Sequence, residues 1–313
     1  MNIIFMGTPE FAVPTLKALI GSKHNVVGVF TQPDKAVGRK QILTPPPVKV
    51  CAAEAGIPVF QPNSLKTPEA EELIKSLNPD IMVVVAYGKI LPINILNIPK
   101  FGSVNGHASI LPRHRGASPI QWALVCGDKT TGVTTQLMGE GIDTGDILLT
   151  EETEIFEDEN AGQLHDRLSL VTASLMIKTL EGIEAGTITP IKQDDALANY
   201  APIITKEMGF LKFNKTATEI CNLIRGFNPW PAAYFMLDGK RIKVFAAKVA
   251  GTTNCVPSTV VSADGELVIA CADNTAISLV EIQAEGSKRM SAKDYLIGHS
   301  IEKGKILYGE NNE

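Results

Sequence analysis

Residues 81–85 read Ile-Met-Val-Val-Val, and this uninterrupted apolar run decides the fold class. Such a run is typical of a strand buried on both faces, as in a parallel sheet with helices on either side. Strand and helix patterns alternate before it, with strands at 3–6, 26–31 and 59–60, and helices at 9–20, 47–55 and 67–77. The alternation predicts an α/β domain built on a doubly wound, mostly parallel sheet.

The same pattern continues beyond residue 85. Strands are predicted at 128–138 and 147–156, and a long helix at 161–184. The composition then changes, and the following residues carry no strong periodicity. We therefore predict an N-terminal domain at 1–187 and a linker at 188–206.

The C-terminal third has a different character. Thr216 and Glu219 form a capping box that begins a short helix. Short strands follow, separated by Asp-Gly turns at 238–239 and 264–265. These features predict a small, partly open, OB-like β-barrel at 207–313.

Composition excludes several classes of protein. The chain has 313 residues, a net charge of −5 and 44% hydrophobic residues, which suits a globular protein of two domains. No apolar run reaches the roughly 18 residues that span a bilayer, and no basic secretory signal precedes the first strand. The five cysteines form no Cys-x-x-Cys pair, and the five histidines show no metal-ligand spacing. We expect a cytoplasmic monomer with reduced cysteines, no membrane partner and no metal.

Charge is unevenly distributed. From Thr205 onward the chain has 13 Lys and Arg against 12 Asp and Glu, whereas the preceding part is acidic. Two groups of basic residues lie in this region: Lys240, Arg241, Lys243 and Lys248, and then Lys288, Arg289 and Lys293. A basic face can hold a phosphate backbone, but lysines also protect exposed strand edges, and charge alone favours the second interpretation.

Asn105 and His107 stand two residues apart at the end of a predicted strand, so both side chains leave on one face. This is where open α/β sheets place their sites. A second candidate, Asp143, lies in a glycine-rich stretch at 139–146. Each residue alone also has a purely structural interpretation. Asn105 could cap a turn, His107 could be a buried histidine, and Asp143 could form an Asx-turn.

Together the three side chains suit direct acyl transfer to an amine. No serine or cysteine is evidently activated by His107, so a covalent acyl-enzyme is not expected. In direct transfer the amine loses a proton, the tetrahedral oxyanion needs a donor, and the leaving nitrogen is protonated.

A dinucleotide site is not predicted. The turn at 7–12 lacks the Gly-x-Gly-x-x-Gly spacing, and Thr31-Gln32-Pro33 replaces the acidic residue expected after the second strand. Instead, Thr8 is predicted to cap a helix whose first residue is Pro9.

Short motifs spread along the sequence carry a family resemblance: 5–12, Gln32-Pro33-Asp34, Gly38-Arg39, 47–50, 83–88, Asn105-x-His107, Ser109-Ile110-Leu111-Pro112, Arg115-Gly116, 141–145 and Asn228-Pro229-Trp230-Pro231. With these motifs the chain resembles the methionyl-tRNA formyltransferase family over nearly its whole length. This resemblance implies a formyltransferase-type Rossmann-like domain, followed by a domain that binds tRNA. The implied reaction moves a formyl group from 10-formyltetrahydrofolate to the α-amino group of methionyl initiator tRNA.

The resemblance also implies roles for individual residues. Asn105 would hydrogen-bond the formyl oxygen, His107 would polarise it, and Asp143 would orient the imidazole and accept the amine's proton. Folate would be bound in a site lined by Ser109, Ile110, Leu111 and Pro112. It would also be bound by the backbone of Val85, Ala86, Tyr87, Gly141 and Thr144. The acceptor stem of the tRNA would be met by the basic residues Lys35, Arg39 and Lys40.

Two departures from the family pattern bear on the site. Gly106 replaces a bulkier apolar residue, which would loosen the strand between Asn105 and His107. His114 replaces an aromatic residue, and we expect it to face tRNA or solvent.

Three alternatives compete with this interpretation. A nucleotide-amino-sugar N-formyltransferase shares the same core, but the basic loop at 33–47 argues against it. A glycinamide-ribonucleotide formyltransferase is less well supported, because such an enzyme needs no second domain and this chain is predicted to have one. A catalytically silent RNA-binding module would leave Asn105, His107 and Asp143 without a role.

Overall fold

A computed structural model describes residues 1–38 and 40–307. It divides into two compact units, and each draws on several segments. Unit 1 contains Met1–Pro119, Thr130–Glu154 and His165–Ala201, whereas unit 2 contains Ile120–Lys129, Ile155–Leu164 and the chain from Pro202 onward. The units therefore interleave along the chain, which the predicted division at 187 and 206 does not describe.

The first eleven strands all belong to unit 1. In chain order they are β1 (Asn2–Gly7), β2 (Asn25–Phe30), β3 (Lys35–Val37), β4 (Ile42–Thr44), β5 (Val59–Phe60), β6 (Ile81–Val85), β7 (Ser103–His107), β8 (Arg115–Gly116), β9 (Thr130–Leu137), β10 (Ile147–Glu154) and β11 (Tyr200–Ala201). The helices up to residue 185 are α1 (Val13–Ile20), α2 (Pro47–Glu54), α3 (Pro68–Ser76), α4 (Ile93–Leu96), α5 (Pro119–Val125) and α6 (Ala161–Ala185). Across the described residues, no helix is both long and apolar enough to cross a membrane.

Seven strands form the main sheet, in the order β10-β9-β7-β6-β1-β2-β5. The five strands from β7 to β5 are parallel, and β9 and β10 are added antiparallel at one edge. The central run 81–85 is buried at every position. Met82 and Val84 pack with Ile74 of α3 on one face, while α6 covers the other face beside Gly106. The predicted doubly wound, mostly parallel sheet is confirmed.

The start of the first helix differs from the prediction. A 3₁₀ turn at Glu10–Ala12 precedes α1, and the Thr8 side chain does not cap it. The Thr8 hydroxyl instead donates to the carbonyl of Tyr87 at 2.9 Å and accepts from the Gln32 N–H at 3.2 Å. The predicted cap is wrong because these partners, which follow β6 and β2 on either side of β1, compete successfully for the hydroxyl.

Unit 2 is built around an antiparallel sheet. Its strands and helices beyond residue 201 are α7 (Ala217–Gly226), β12 (Ala233–Leu237), β13 (Lys240–Thr252), β14 (Val260–Ser262), β15 (Leu267–Ala270), β16 (Thr275–Ala284), β17 (Met290–Ser291) and α8 (Ala292–Gly298). The strand order is β12-β13-β16-β15-β14, with β17 paired to β16. The predicted capping box is present, because Glu219 N–H donates to Thr216 Oγ1 and the Glu219 carboxylate accepts from the Thr216 N–H.

All five main strands of unit 2 contribute to a single apolar core with α7 and α8, as a curled sheet does. Within the described residues, β12 and β14 share no ladder, so this small β domain is open.

The end of α7 is held by segments that lie far from it in sequence. A Cβ on Gly226 would lie 2.7 Å from Val125 Cγ2, and Arg225 Nη1 donates to the carbonyls of Phe156 (3.2 Å) and Glu157 (3.3 Å).

Candidate active site

The structure brings Asn105, His107 and Asp143 together. Asn105 and His107 leave β7 on the same face, as their spacing predicts. Asp143 lies in the loop that follows β9, which pairs with β7. Asn105 Nδ2 donates to Asp143 Oδ1 at 3.3 Å, and His107 Nδ1 lies 3.5 Å from Asp143 Oδ2. Two oxygens of one carboxylate thus connect the amide to the imidazole.

Two further donors hold the Asp143 carboxylate, and sequence reasoning missed both. Gln136 Nε2 donates to Oδ1 at 2.9 Å, and the Gly116 N–H donates to Oδ2 at 2.9 Å. Gln136 is the ladder partner of Asn105, so knowledge of the strand register would have found it. Asp143 itself has a φ of 53°, a left-handed conformation that is uncommon outside glycine. Its contacts offset the cost of that conformation.

The imidazole of His107 is fixed at both nitrogens. Nε2 donates to the carbonyl of His114 at 2.9 Å, because a carbonyl oxygen can only accept. Nδ1 therefore faces the Asp143 carboxylate. A backbone oxygen behind the ring thus decides which nitrogen faces the acid.

The prediction that His114 faces tRNA or solvent is wrong. His114 is 2% exposed and has a φ of 58°. Its N–H donates to Asn199 Oδ1 at 2.5 Å, while its carbonyl accepts from His107. The left-handed turn directs that carbonyl toward the imidazole.

Gly106 does not loosen β7. A Cβ at this position would lie 2.7 Å from Thr172 Cγ2 and 3.4 Å from Met176 Cε. The side chains of α6 therefore occupy the space that a bulkier residue would fill, and the strand between Asn105 and His107 is closely packed.

The residues predicted to line the folate site at 109–112 form a braced turn. Ser109 is buried, its hydroxyl donates to the carbonyl of Arg113 at 2.6 Å, and its carbonyl accepts from Thr134 Oγ1 at 2.7 Å. The Leu111 N–H donates to the Thr134 hydroxyl at 3.1 Å. Ile110 and Pro112 are partly exposed, so they are the members of the strip that offer surface.

The other predicted folate contacts differ in availability. Val85 and Tyr87 are buried, and the Tyr87 carbonyl already accepts from Thr8 Oγ1 and from Gln32 Nε2 at 3.1 Å. Burial also raises the pKa of the Tyr87 hydroxyl to about 12. Ala86 between them is exposed, with a φ of 47°.

The loop at 139–144 leaves backbone groups available. Gly141 and Thr144 are exposed. Among the described residues, no hydrogen bond uses the backbone of 139–142. Of the predicted folate contacts, this loop and Ala86 are therefore the ones whose backbone N–H and C=O groups are available to a ligand.

The predicted tRNA residues lie in a different setting. Lys35 begins β3 and Lys40 lies in the turn of the β3–β4 hairpin, and both are exposed. Arg39 lies outside the described residues. The hairpin also exposes Val37, Ile42 and Leu43, by 55%, 61% and 67%.

The base of the hairpin carries an ion pair. Lys49 Nζ lies 2.8 Å from both oxygens of Asp34 and 2.8 Å from Gln61 Oε1. Hydrogen bonds from Lys49, and then from Gln61, hold the pKa of the Asp34 carboxyl below its usual value. In the described part of the chain, no cluster of three or more His, Cys, Asp or Glu could hold a metal ion. The expected absence of a metal stays a prediction.

Comparison with known proteins decides the family. The family model described as "Formyl transferase" matches residues 1–180, and "Formyl transferase, C-terminal domain" matches residues 203–300. The chain is 48% identical to the methionyl-tRNA formyltransferase of Caldanaerobacter subterraneus subsp. tengcongensis, over 98% of this chain and 100% of that one. It is 45% identical to that of Bacillus subtilis, over 100% and 99%. The chain belongs to the methionyl-tRNA formyltransferase family.

Two solved structures share this fold at much lower identity. WlaRD, a sugar 3N-formyl transferase solved in the presence of dTDP and 5-N-formyl-THF, superposes with a TM-score of 0.67 at 19% identity, covering 92% of this chain and 99% of that one. HypX from Aquifex aeolicus, in complex with tetrahydrofolic acid, gives 0.60 at 14% identity, covering 95% and 47%.

Family membership confirms the predicted formyltransferase fold and an enzyme rather than a silent RNA-binding module. The sugar formyltransferases are distant structural matches that show the fold alone.

Proposed function

We propose that this protein transfers a formyl group from 10-formyltetrahydrofolate to the α-amino group of methionyl initiator tRNA. The convergence of Asn105, His107 and Asp143 carries the proposal, in a chain that matches methionyl-tRNA formyltransferases from end to end. We further propose that the protein is a cytoplasmic monomer, because translation begins in that compartment and the three side chains come from one chain.

A folate-type donor fits the residues around this centre. The unpaired backbone groups at 139–142 and the exposed Ala86 can meet the donors and acceptors of a flat pterin ring. Ile110 and Pro112 offer apolar surface. When bound, 10-formyltetrahydrofolate supplies an activated formyl carbonyl attached to nitrogen.

The chain's own groups divide the remaining work. Asn105 Nδ2 carries two hydrogens, and only one faces Asp143, so the second can donate to the formyl oxygen as it becomes an oxyanion. Asp143 accepts the proton that the attacking amine loses, directly or through water, and the same proton can pass to the leaving nitrogen of the folate as its bond to the formyl carbon breaks. The imidazole of His107 lies beside this carboxylate, with Nδ1 3.5 Å from Oδ2. To polarise the formyl oxygen as well, His107 has to release its Nε2 hydrogen bond to the His114 carbonyl and donate to the substrate instead.

The β3–β4 hairpin suits recognition of tRNA. Lys35, Arg39 and Lys40 supply positive charge for the phosphate backbone, and the hairpin exposes three apolar side chains. The basic residues on β13 are candidates for additional phosphate contacts.

The test is formylation of charged initiator tRNA with 10-formyltetrahydrofolate as donor. We expect rapid transfer to initiator Met-tRNA and little to elongator Met-tRNA. A UDP-amino sugar serves as the competing acceptor. Faster formylation of the sugar than of Met-tRNA would overturn the proposal in favour of a nucleotide-amino-sugar N-formyltransferase.

A further inference from the structure

Gln193 lies in the segment predicted to be a linker, yet it is only 7% exposed. Its Nε2 donates to the carbonyl of Asp143 at 2.9 Å and to that of Gly145 at 2.7 Å. Both hydrogens of the amide are thereby used on the loop that carries Asp143. A side chain 50 residues away in sequence holds the backbone of this loop.

The orientation of this amide is fixed by a buried arginine. Gln193 Oε1 accepts from Arg115 Nε at 3.0 Å and from Arg115 Nη2 at 2.8 Å. Arg115 is 3% exposed, and a guanidinium can only donate. The oxygen of Gln193 must therefore face Arg115, which turns the amide nitrogen toward the two carbonyls.

The residue that follows Arg115 in the chain makes a second contact with the loop that carries Asp143. Gly116 follows Arg115 in the chain, and its N–H donates to Asp143 Oδ2. The loop is thus held through its backbone by Gln193 and through the carboxylate by Gly116. Elsewhere the loop has little support, because the backbone of 139–142 forms no hydrogen bonds within the described residues.

We infer that Gln193 is a positioning residue for formyl transfer, which holds Asp143 in its left-handed conformation so that the carboxylate meets Asn105 and His107. The inference rests on the proposed function for its kinetic consequence only. Gln193 does not face the reacting atoms in this arrangement, because both ends of its amide are engaged by the protein.

Two substitutions separate the contacts of Gln193. Gln193→Leu removes all of them, whereas Gln193→Glu keeps an oxygen toward Arg115 and replaces the donor by an acceptor that faces two carbonyls. We expect both to lower kcat about 10- to 100-fold, because a shift of about 1 Å at a reacting group has an effect of this size. The KM values for both substrates should change less than threefold. The matched control is Asp195→Asn, which removes the charge of an exposed carboxylate beside Arg115 but keeps an oxygen that can accept from Nη2, and it should leave kcat within twofold.

A double-mutant cycle tells positioning from a general structural role. If Gln193 acts through Asp143, then Gln193→Leu adds little to the loss already caused by Asp143→Asn. Fully additive losses would overturn the inference. If Gln193→Leu does not fold, the cycle is carried out with Gln193→Glu, whose buried charge is paired with Arg115.

Hydrogen–deuterium exchange of the wild-type and variant proteins supplies a readout independent of activity. We expect exchange in the peptide covering 138–146 to accelerate in Gln193→Leu and Gln193→Glu, and not in Asp195→Asn. Faster exchange together with wild-type protein that does not formylate Met-tRNA would refute the proposed function and leave the loop assignment standing. Unchanged exchange in both Gln193 variants would refute the assignment itself.

Discussion

The Asn105–His107–Asp143 centre and the β3–β4 hairpin differ in how the protein holds them. The centre lies on a closely packed strand and on a loop whose one carboxylate accepts three hydrogen bonds and lies 3.5 Å from the imidazole. In the hairpin every strand residue is exposed, and its support is concentrated at the base, around Lys49 and Asp34.

This contrast follows from what each region has to do. Displacement at a carbonyl carbon requires donors and proton acceptors at fixed positions, which packed elements supply. A charged polymer is contacted over a larger area, where exposed lysines act through phosphates and tolerate movement. Chemistry and recognition should therefore respond differently to substitution.

The largest expected effect comes from Asn105→Ala. Removing one oxyanion donor costs about 2.7–4 kcal/mol of transition-state stabilisation, or about 10²- to 10³-fold in kcat. Folate affinity, measured by fluorescence titration, should stay within about twofold. Near-normal turnover in this variant would remove Asn105 from the mechanism.

Gln136→Leu tests whether the brace around Asp143 matters for chemistry. Loss of one hydrogen bond to the carboxylate should lower kcat about tenfold, which corresponds to about 1.4 kcal/mol. Steady-state kinetics with both substrates measures it, and Gln163→Leu, at an exposed helix start, is the control. An unchanged kcat would show that the other donors suffice.

On the hairpin, the double variant Lys35→Ala/Lys40→Ala should raise KM for Met-tRNA several-fold with little change in kcat. If each lysine neutralises one phosphate, the slope of log KM against log salt should fall by about 1.4 to 1.8. Lys66→Ala, an exposed lysine away from the hairpin in sequence, is the control. A lowered kcat with an unchanged KM would contradict the division between the two regions.

The smallest effect concerns pH and the base of the hairpin. Because the folded-state pKa of Asp34 is depressed, its contribution is present above the unfolded value of about 3.9 and disappears as pH falls through the folded value. Proteolysis within 35–44 should therefore accelerate below about pH 4, and Lys49→Met should show faster cleavage already at pH 7. Equal cleavage rates for Lys49→Met and wild type at pH 7 would show that the ion pair does not hold the hairpin.

The sequence was sufficient for the sheet and for the shared face of Asn105 and His107, because local patterns encode both. That Asp143 joins them was a hypothesis that no local pattern carries. The apolar run at 81–85 predicted its own burial, and the two-residue spacing of Asn105 and His107 predicted a shared face. These features depend on strand periodicity, which can be recognised in the sequence without knowing the partner strands.

The supporting residues were not predictable in this way. Gln136 and Gln193 act through amide groups on partners up to 50 residues distant, and no local pattern marks such contacts. The lack of periodicity in segment 188–206 predicts a linker, whereas the structure shows that this segment contributes β11 and Gln193 to unit 1. His114 shows a related limit, since its role depends on a backbone carbonyl rather than on its side chain.

The contacts at the end of α7 bear on how this protein could have been assembled. Val125 and the carbonyls of Phe156 and Glu157, which meet that helix end, are encoded before residue 187. A gene cut at that point would yield an N-terminal fragment still carrying pieces of the other half, with their apolar and polar groups uncovered. The two compact units therefore do not correspond to two consecutive lengths of the gene, and no single cut in the sequence separates them.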